Sequence, residues 1–250
     1  MMKLAAEEGA DPFLVRRLSE KFCIPVIQAG QAVPDGEPVL LIDREGLTLI
    51  SGSLRLRADL TGMARRLKPH AHRGELLVRA AGLGKGNGGK TITAVDATAG
   101  LGEDALLLAA AGCEVLLFER DPLIAELLRD ALRKAALSDG LRDAAERMHF
   151  REGDSLRGLS ELKTPPDVVY LDPMFPERRK SGLVGKKLQL FQMLERPCPD
   201  EAELFEAAVK ACPGRIVVKR PLKGPHLDGR KPSWSLGGKA VRFDVYSFPR

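Results

Sequence analysis

The sequence predicts an α/β protein: an open, mostly parallel sheet wound with helices, preceded by a small N-terminal α/β extension. Three observations point there. From residue 91 onward, short β-branched runs alternate with helix-forming segments, the pattern of successive βαβ units whose crossovers hold neighbouring strands parallel. A glycine turn, Gly100-Leu101-Gly102, lies between the first of these strands and its helix, as at the ligand edge of such sheets. The chain has 250 residues, 44% hydrophobic and 29% charged, which suits one large domain with an attachment and is too apolar for disorder.

Residues 1–73 read as a small mixed unit. The apolar runs 39–42 and 47–50 flank Asp43-Arg44-Glu45-Gly46, a hairpin signal, and 54–60 alternates apolar with polar residues as a half-buried strand does. Residues 74–90 read as a connecting helix followed by a glycine-rich linker, and 91–250 as the main domain. Within it, 91–97 is the first strand, 103–111 a helix stopped by Gly112, and 113–118 the second strand. Asp121 as N-cap and Pro122 at the first helical position start a helix whose apolar face carries Ile124, Leu127, Leu128, Ala131 and Leu132. Strands follow at 148–153 and 168–171. Asp200 with Glu203 makes a capping-box-like start for a helix running to Cys212 and stopped by Pro213 and Gly214. Strands at 215–219 and 240–248 complete the domain.

Several classes are set aside by what the sequence lacks. No apolar run reaches the roughly 18 residues needed to cross a bilayer, and the N-terminus turns acidic where a signal peptide would become apolar, so a cytoplasmic protein with no membrane partner is expected. Cys23, Cys113, Cys198 and Cys212 show no zinc-ligand spacing and read as reduced thiols; His70 and His72 lack a third ligand, and no metal is expected. Gly84-Lys85-Gly86-Asn87-Gly88-Gly89-Lys90-Thr91 matches a phosphate-binding loop letter for letter, but strand formers follow it where a helix must open.

A net charge of +5 and a pI near 9.1 favour a polyanionic partner. The charge is unevenly spread, at +4 over residues 1–90, −7 over 91–172 and +8 over 173–250, which fits an acidic middle that holds a cofactor between ends that grip phosphate.

The chemistry concentrates where strands should end. Asp96 leads into the glycine turn, followed by Glu103 and Asp104 in the first helical turn. Glu119, ending the second strand, can accept hydrogen bonds from two ribose hydroxyls, and Asp154 with Ser155 ends the third, beside a nucleoside base. A nicotinamide enzyme would place an acid at the position of Glu119 as well, so the fourth strand decides. It ends in Asp172-Pro173-Met174-Phe175, which resembles the Asp/Asn-Pro-Pro-Tyr/Phe loop of amino-group methyltransferases. In such a loop, Asp172 and the Pro173 carbonyl would accept hydrogen bonds from an exocyclic amine and Phe175 would stack on its base.

Across residues 91–250 the chain closely resembles the small-subunit (16S) ribosomal RNA methyltransferase J family. The resemblance rests on Asp96-Ala97-Thr98-Ala99-Gly100-Leu101-Gly102, Glu119-Arg120-Asp121-Pro122, Tyr170-Leu171-Asp172-Pro173-Met174-Phe175-Pro176, Val217-Val218-Lys219-Arg220-Pro221 and Arg242-Phe243-Asp244-Val245-Tyr246. It implies a Rossmann-like, seven-stranded methyltransferase sheet whose last strand is antiparallel, and S-adenosylmethionine-dependent methylation of guanine N2 in small-subunit rRNA, naked or in the assembled small ribosomal subunit. It also implies cofactor contacts at Glu103, Asp104, Glu119, Arg120, Asp154, Ser155 and Asp172, beside Asp96, Gly100 and Gly102. Met174 and the basic residues Arg178, Arg179, Lys180, Lys219 and Arg220 are candidates for RNA binding around a flipped base. Because adjacent strand residues alternate faces, Lys219 is expected to point into the pocket and Arg220 outward. The alternatives are an amino methyltransferase acting on another nucleic acid, and a non-catalytic RNA-binding factor that keeps the fold.

Overall fold

The structure is a computed structural model that describes residues 2–31, 37–83, 90–173 and 201–249. It divides into two compact units, and within the described residues the division falls between Ala58 and Asp59. The segment 59–73, grouped with the N-terminal unit on sequence, belongs to the larger one.

In the first unit, β1 (Lys3–Ala6), α1 (Pro12–Phe22) and β2 (Val26–Gln28) form a βαβ step with β1 and β2 parallel. Asp11 starts α1 by accepting the Phe13 N–H, with Pro12 next in line, where a missing N–H costs nothing. The expected hairpin follows as β3 (Val39–Asp43) and β4 (Gly46–Ser51), and β5 (Leu54–Leu56) completes the order β2-β1-β3-β4-β5. Leu4, Leu18, Leu40, Leu49 and Leu56 are buried. The strand expected over 54–60 stops at Leu56. Soon after, the Asp59 carboxylate takes up the Thr61 N–H and hydroxyl and turns the chain.

The second unit opens with two short helices, α2 (Pro69–His72) and α3 (Leu76–Ala80). Then come β6 (Ile92–Asp96), α4 (Glu103–Ala110), β7 (Cys113–Glu119), α5 (Pro122–Leu137), α6 (Arg142–Ala145), β8 (Met148–Glu152), α7 (Ser155–Ser160) and β9 (Val168–Leu171). It ends with α8 (Glu201–Lys210), β10 (Arg215–Pro221), β11 (Trp234–Gly237) and β12 (Val241–Ser247). The seven strands lie in the order β11-β12-β10-β9-β6-β7-β8, with β12 antiparallel to both neighbours and the rest parallel. The order in which strands are added reverses between β6 and β9, and in open α/β sheets ligands bind outside the carboxyl ends of the strands at that switch point.

The two faces of the sheet separate packing from chemistry. Val95, Ala97, Phe118, Val169, Leu171, Ile216 and Val218 join Leu159 of α7 and Leu204, Phe205 and Ala208 of α8 in one buried cluster. Residues of the opposite parity, Asp96, Glu119, Tyr170 and Lys219, therefore look the other way, toward α4. α5 starts as expected: Asp121 accepts the Leu123 and Ile124 N–H groups, and Ile124, Leu127, Leu128 and Ala131 are buried. The glycine tract 84–89 lies outside the described residues. Directly after it Ile92 begins a strand, where a phosphate loop would open a helix.

Candidate active site

At the end of β6 the Asp96 side chain is almost fully buried and accepts the Thr98 N–H at 3.0 Å. Burial pushes its pKa up to about 8; the hydrogen bond opposes this, and the charges of Asp104 and Asp172 add to it. The chain then passes through Gly100 (φ 53°) and Gly102 (φ 81°), left-handed conformations that a side chain rarely adopts. Gly102 stands at the N-terminus of α4, where an added Cβ would also fall 2.7 Å from Leu128 Cδ1. Glu119 fastens this turn: one carboxylate oxygen accepts the Gly100 N–H at 2.9 Å, the other the Asp121 N–H at 2.8 Å. Burial raises its pKa to about 7 against those hydrogen bonds. The Arg120 N–H also acts on this carboxylate, which with four lone pairs still has acceptor capacity for a ligand.

Across the switch point, β9, β10 and α4 converge on one ammonium. Lys219 Nζ lies 2.7 Å from Asp104 Oδ2 and 2.9 Å from Asp172 Oδ2, and the Tyr170 hydroxyl donates to the same Asp104 oxygen at 2.6 Å. The Asp172 N–H donates to Thr98 Oγ1 at 2.7 Å, tying the end of β9 to the loop after β6. Burial raises the Asp172 pKa, and Lys219 restrains that rise. Burial alone would lower the pKa of Lys219, yet Asp172 and Asp104 together outweigh it and raise it. About a third of the Asp172 side chain remains open. Among the described residues, Lys219 is the cation that pairs directly with both of these carboxylates.

Asp96, Gly100, Gly102, Asp104, Glu119, Asp172, buried Pro173 and Lys219 thus lie at the carboxyl edge of the sheet. Lys219 faces the pocket as expected, engaged there with two carboxylates. Arg220 takes the other face but does not reach solvent: it is 2% exposed, donates to the Pro225 carbonyl at 2.8 Å and pairs with Glu201 at 3.3 Å, because the loop after β10 and the start of α8 enclose it. Asp154 caps α7 through the Leu156 N–H, with Ser155 buried behind it. Arg120 is exposed beside Glu119, and Glu103 is half-buried in the first turn of α4. Met174, Phe175, Arg178, Arg179, Lys180, Cys198 and Asp200 lie outside the described residues. Thr98 and Tyr170 were not singled out on sequence; their roles depend on partners far away in the chain. Among the described residues, no group of three His, Cys, Asp or Glu is arranged to hold a metal.

These residues fit S-adenosylmethionine. The left-handed glycine turn carries no side chain at Gly100 or Gly102, Glu119 is buried beside that turn with acceptor capacity left, and the carboxylates outnumber the lysine where a cationic ligand end would lie. Sheet order, glycine turn and strand-end acids together define an S-adenosylmethionine-dependent methyltransferase. A family model described as "Putative SAM-dependent methyltransferase" matches residues 34–248. Ribosomal RNA small subunit methyltransferase J of Pseudomonas fluorescens (strain Pf0-1) is 40% identical over 221 residues, 86% of this chain and 84% of that protein. The protein of the same name from Dechloromonas aromatica is 39% identical over 236 residues, 92% of this chain and 93% of its own. The crystal structure of a SAM-dependent methyltransferase from Neisseria gonorrhoeae superposes with a TM-score of 0.73 at 31% identity, covering 98% of this chain and 96% of that one. The chain belongs to the ribosomal RNA small subunit methyltransferase J family.

Proposed function

We propose that the chain transfers a methyl group from S-adenosylmethionine to the exocyclic N2 amine of a guanine in small-subunit rRNA, naked or in the assembled small ribosomal subunit, as a cytoplasmic step of rRNA processing. The observation that carries this reading is Asp172, a partly open carboxylate paired with Lys219, its backbone N–H fixed on Thr98 Oγ1, at the switch point next to the glycine turn. Bound S-adenosylmethionine supplies an electrophilic methyl group on a positively charged sulfur. Glu119 accepts ribose hydroxyls with its remaining lone pairs, and Arg120, Asp154 and Ser155 border the adenosine side. Glu103 and Asp104 set a negative field for the cationic end, with Asp96, kept protonated by burial, beside them as a hydrogen-bonding group.

The amine's lone pair is delocalised into the guanine ring, so orientation is the main task of the protein. Asp172 and the Pro173 carbonyl accept its two N–H groups and turn the nitrogen toward the methyl group, while Phe175 stacks on the base and Met174 borders it. Asp172, its pKa raised by burial, can take the proton the amine releases as the new bond forms. The lysine next to it is an ammonium and serves as counter-charge, not as base. Arg178, Arg179 and Lys180 supply phosphate contacts in this reading.

The test is nucleoside analysis of unmodified small-subunit RNA, naked and assembled, after incubation with the protein and labelled S-adenosylmethionine. N2-methylguanosine is the expected product, and Asp172→Ala should cut turnover about 100-fold. Label on another base, or on DNA alone, overturns the reading.

A further inference from the structure

The segment 64–74 carries Arg65, Arg66, Lys68 and Arg73 with no acidic residue among them, and all four are exposed. Arg66 is held by two hydrogen bonds to Glu75, at 2.7 and 2.8 Å. Arg65, Lys68 and Arg73 form no ion pair among the described residues. Where this segment stands follows from the helix after it. The far end of α3 is at the amino end of β10: Arg215, the first residue of that strand, donates to the Ala80 carbonyl, and its guanidinium occupies the space a side chain on Gly82 would need. Its near end is at the opposite edge, where Leu76 Cδ1 touches the Cβ position of Gly238, just before β12 begins alongside the last residue of β10. The residues preceding α3 therefore lie along the carboxyl edge, which carries Asp172 and Lys219. The charges of Asp104 and Glu103 reach Arg66 there and, behind the Glu75 hydrogen bond, help raise its pKa. Exposed Lys239 adjoins Gly238, and exposed Lys223 follows β10, so the cationic surface continues along the rim.

We infer that Arg65, Lys68 and Arg73 form a phosphate-binding rim that docks the RNA strand flanking the target base, an inference that rests on the RNA substrate proposed above. The pocket floor is acidic and repels a polyanion, so the strand must be held from outside it. Cations placed along the same edge supply that hold without neutralising the carboxylates that bind the cofactor. Phosphate contacts of this kind position the nucleic acid and leave base choice to the pocket.

The experiment compares wild type, Arg65→Gln/Lys68→Gln/Arg73→Gln, and a control Lys163→Gln/Lys210→Gln, whose sites lie on the chain just before β9 and β10. Affinity for unmodified small-subunit RNA, naked and assembled, is measured from about 0.05 to 0.3 M salt, with S-adenosylmethionine affinity by calorimetry and thermal unfolding as checks on folding. In the triple variant, RNA affinity should fall at least 10-fold and the log–log salt slope should become shallower by about 2, the loss of three released counterions. S-adenosylmethionine affinity should be unchanged, and the control should lose less than 3-fold. A triple variant that matches wild type in RNA affinity and slope while wild type methylates the RNA overturns this inference alone. An equal loss per charge in the control overturns it too, by assigning the effect to net charge. Wild type that neither binds nor methylates the RNA overturns this inference together with the function it rests on.

Discussion

Asp96 and Lys219 show how far burial and charge can be separated in this pocket. With its pKa raised to about 8, Asp96 in the folded chain keeps a proton that the unfolded chain has given up above about pH 4. Its contribution to stability is thus fully present at low pH and is lost as pH rises from about 4 to 8; Glu119, raised to about 7, acts in the same direction. Asp96→Asn keeps an acceptor for the Thr98 N–H and cannot titrate, so urea unfolding at pH 5 and pH 8 should differ less in this variant than in wild type. Lys219→Met leaves Asp104 and Asp172 facing each other with no ammonium between them. After allowance for solvent screening, about 1 to 2 kcal/mol of stability should be lost. The acid limb of the methylation rate should move to higher pH, because Asp172 loses the neighbour that holds its pKa down. An acid limb in the same place would mean that Asp172 does not titrate in the reaction.

Elements built on caps and period were legible, and those held by distant partners were not. The Asp121-Pro122 start of α5, the four-residue β9 and the hairpin of β3 and β4 lie where local chemistry placed them. α7 has six residues, too few for a helical period, and its cap Asp154 read instead as a strand-end acid. β11 is a four-residue edge strand with Trp234 41% exposed, and it carries no alternation to detect. Asp104 reads as a cofactor contact and Tyr170 as a strand aromatic, but the hydrogen bond that joins them spans 66 residues and leaves no local signal. α7 also shows how tightly an element can fit: a Cβ on Gly158 would come within 2.2 Å of the Phe118 ring. Gly158→Leu should cost about 3 kcal/mol in denaturant unfolding, at the upper end of overpacking costs. Because Phe118 precedes Glu119, it should also weaken S-adenosylmethionine binding. Ser160→Ala, on the exposed end of the same helix, should stay within about 0.5 kcal/mol of wild type.

At the scale of the whole chain, the cofactor should act as a stabilising ligand. At 100 times its dissociation constant S-adenosylmethionine should add about 2.7 kcal/mol, which for a chain of this size raises the unfolding temperature by roughly 5 to 10 °C. NADH should produce no shift, and an equal shift with NADH would transfer the glycine turn to a different cofactor. The strand order has a consequence for biosynthesis. β6, β7 and β8 adjoin both in space and along the chain, so the half of the sheet bearing the glycine turn and Glu119 can form from residues 92–152 alone. β9 must return past that half to reach β6, as in the Asp172–Thr98 hydrogen bond between residues 74 apart, and β10 can add only after it. Such long-range pairings form slowly, and a chain emerging from the ribosome completes its N-terminal contacts first. A nascent chain halted before residue 215 would therefore hold Asp96, Asp104 and Asp172 close together with no ammonium to relieve them. The strand that carries Lys219 is the step that makes that cluster tolerable.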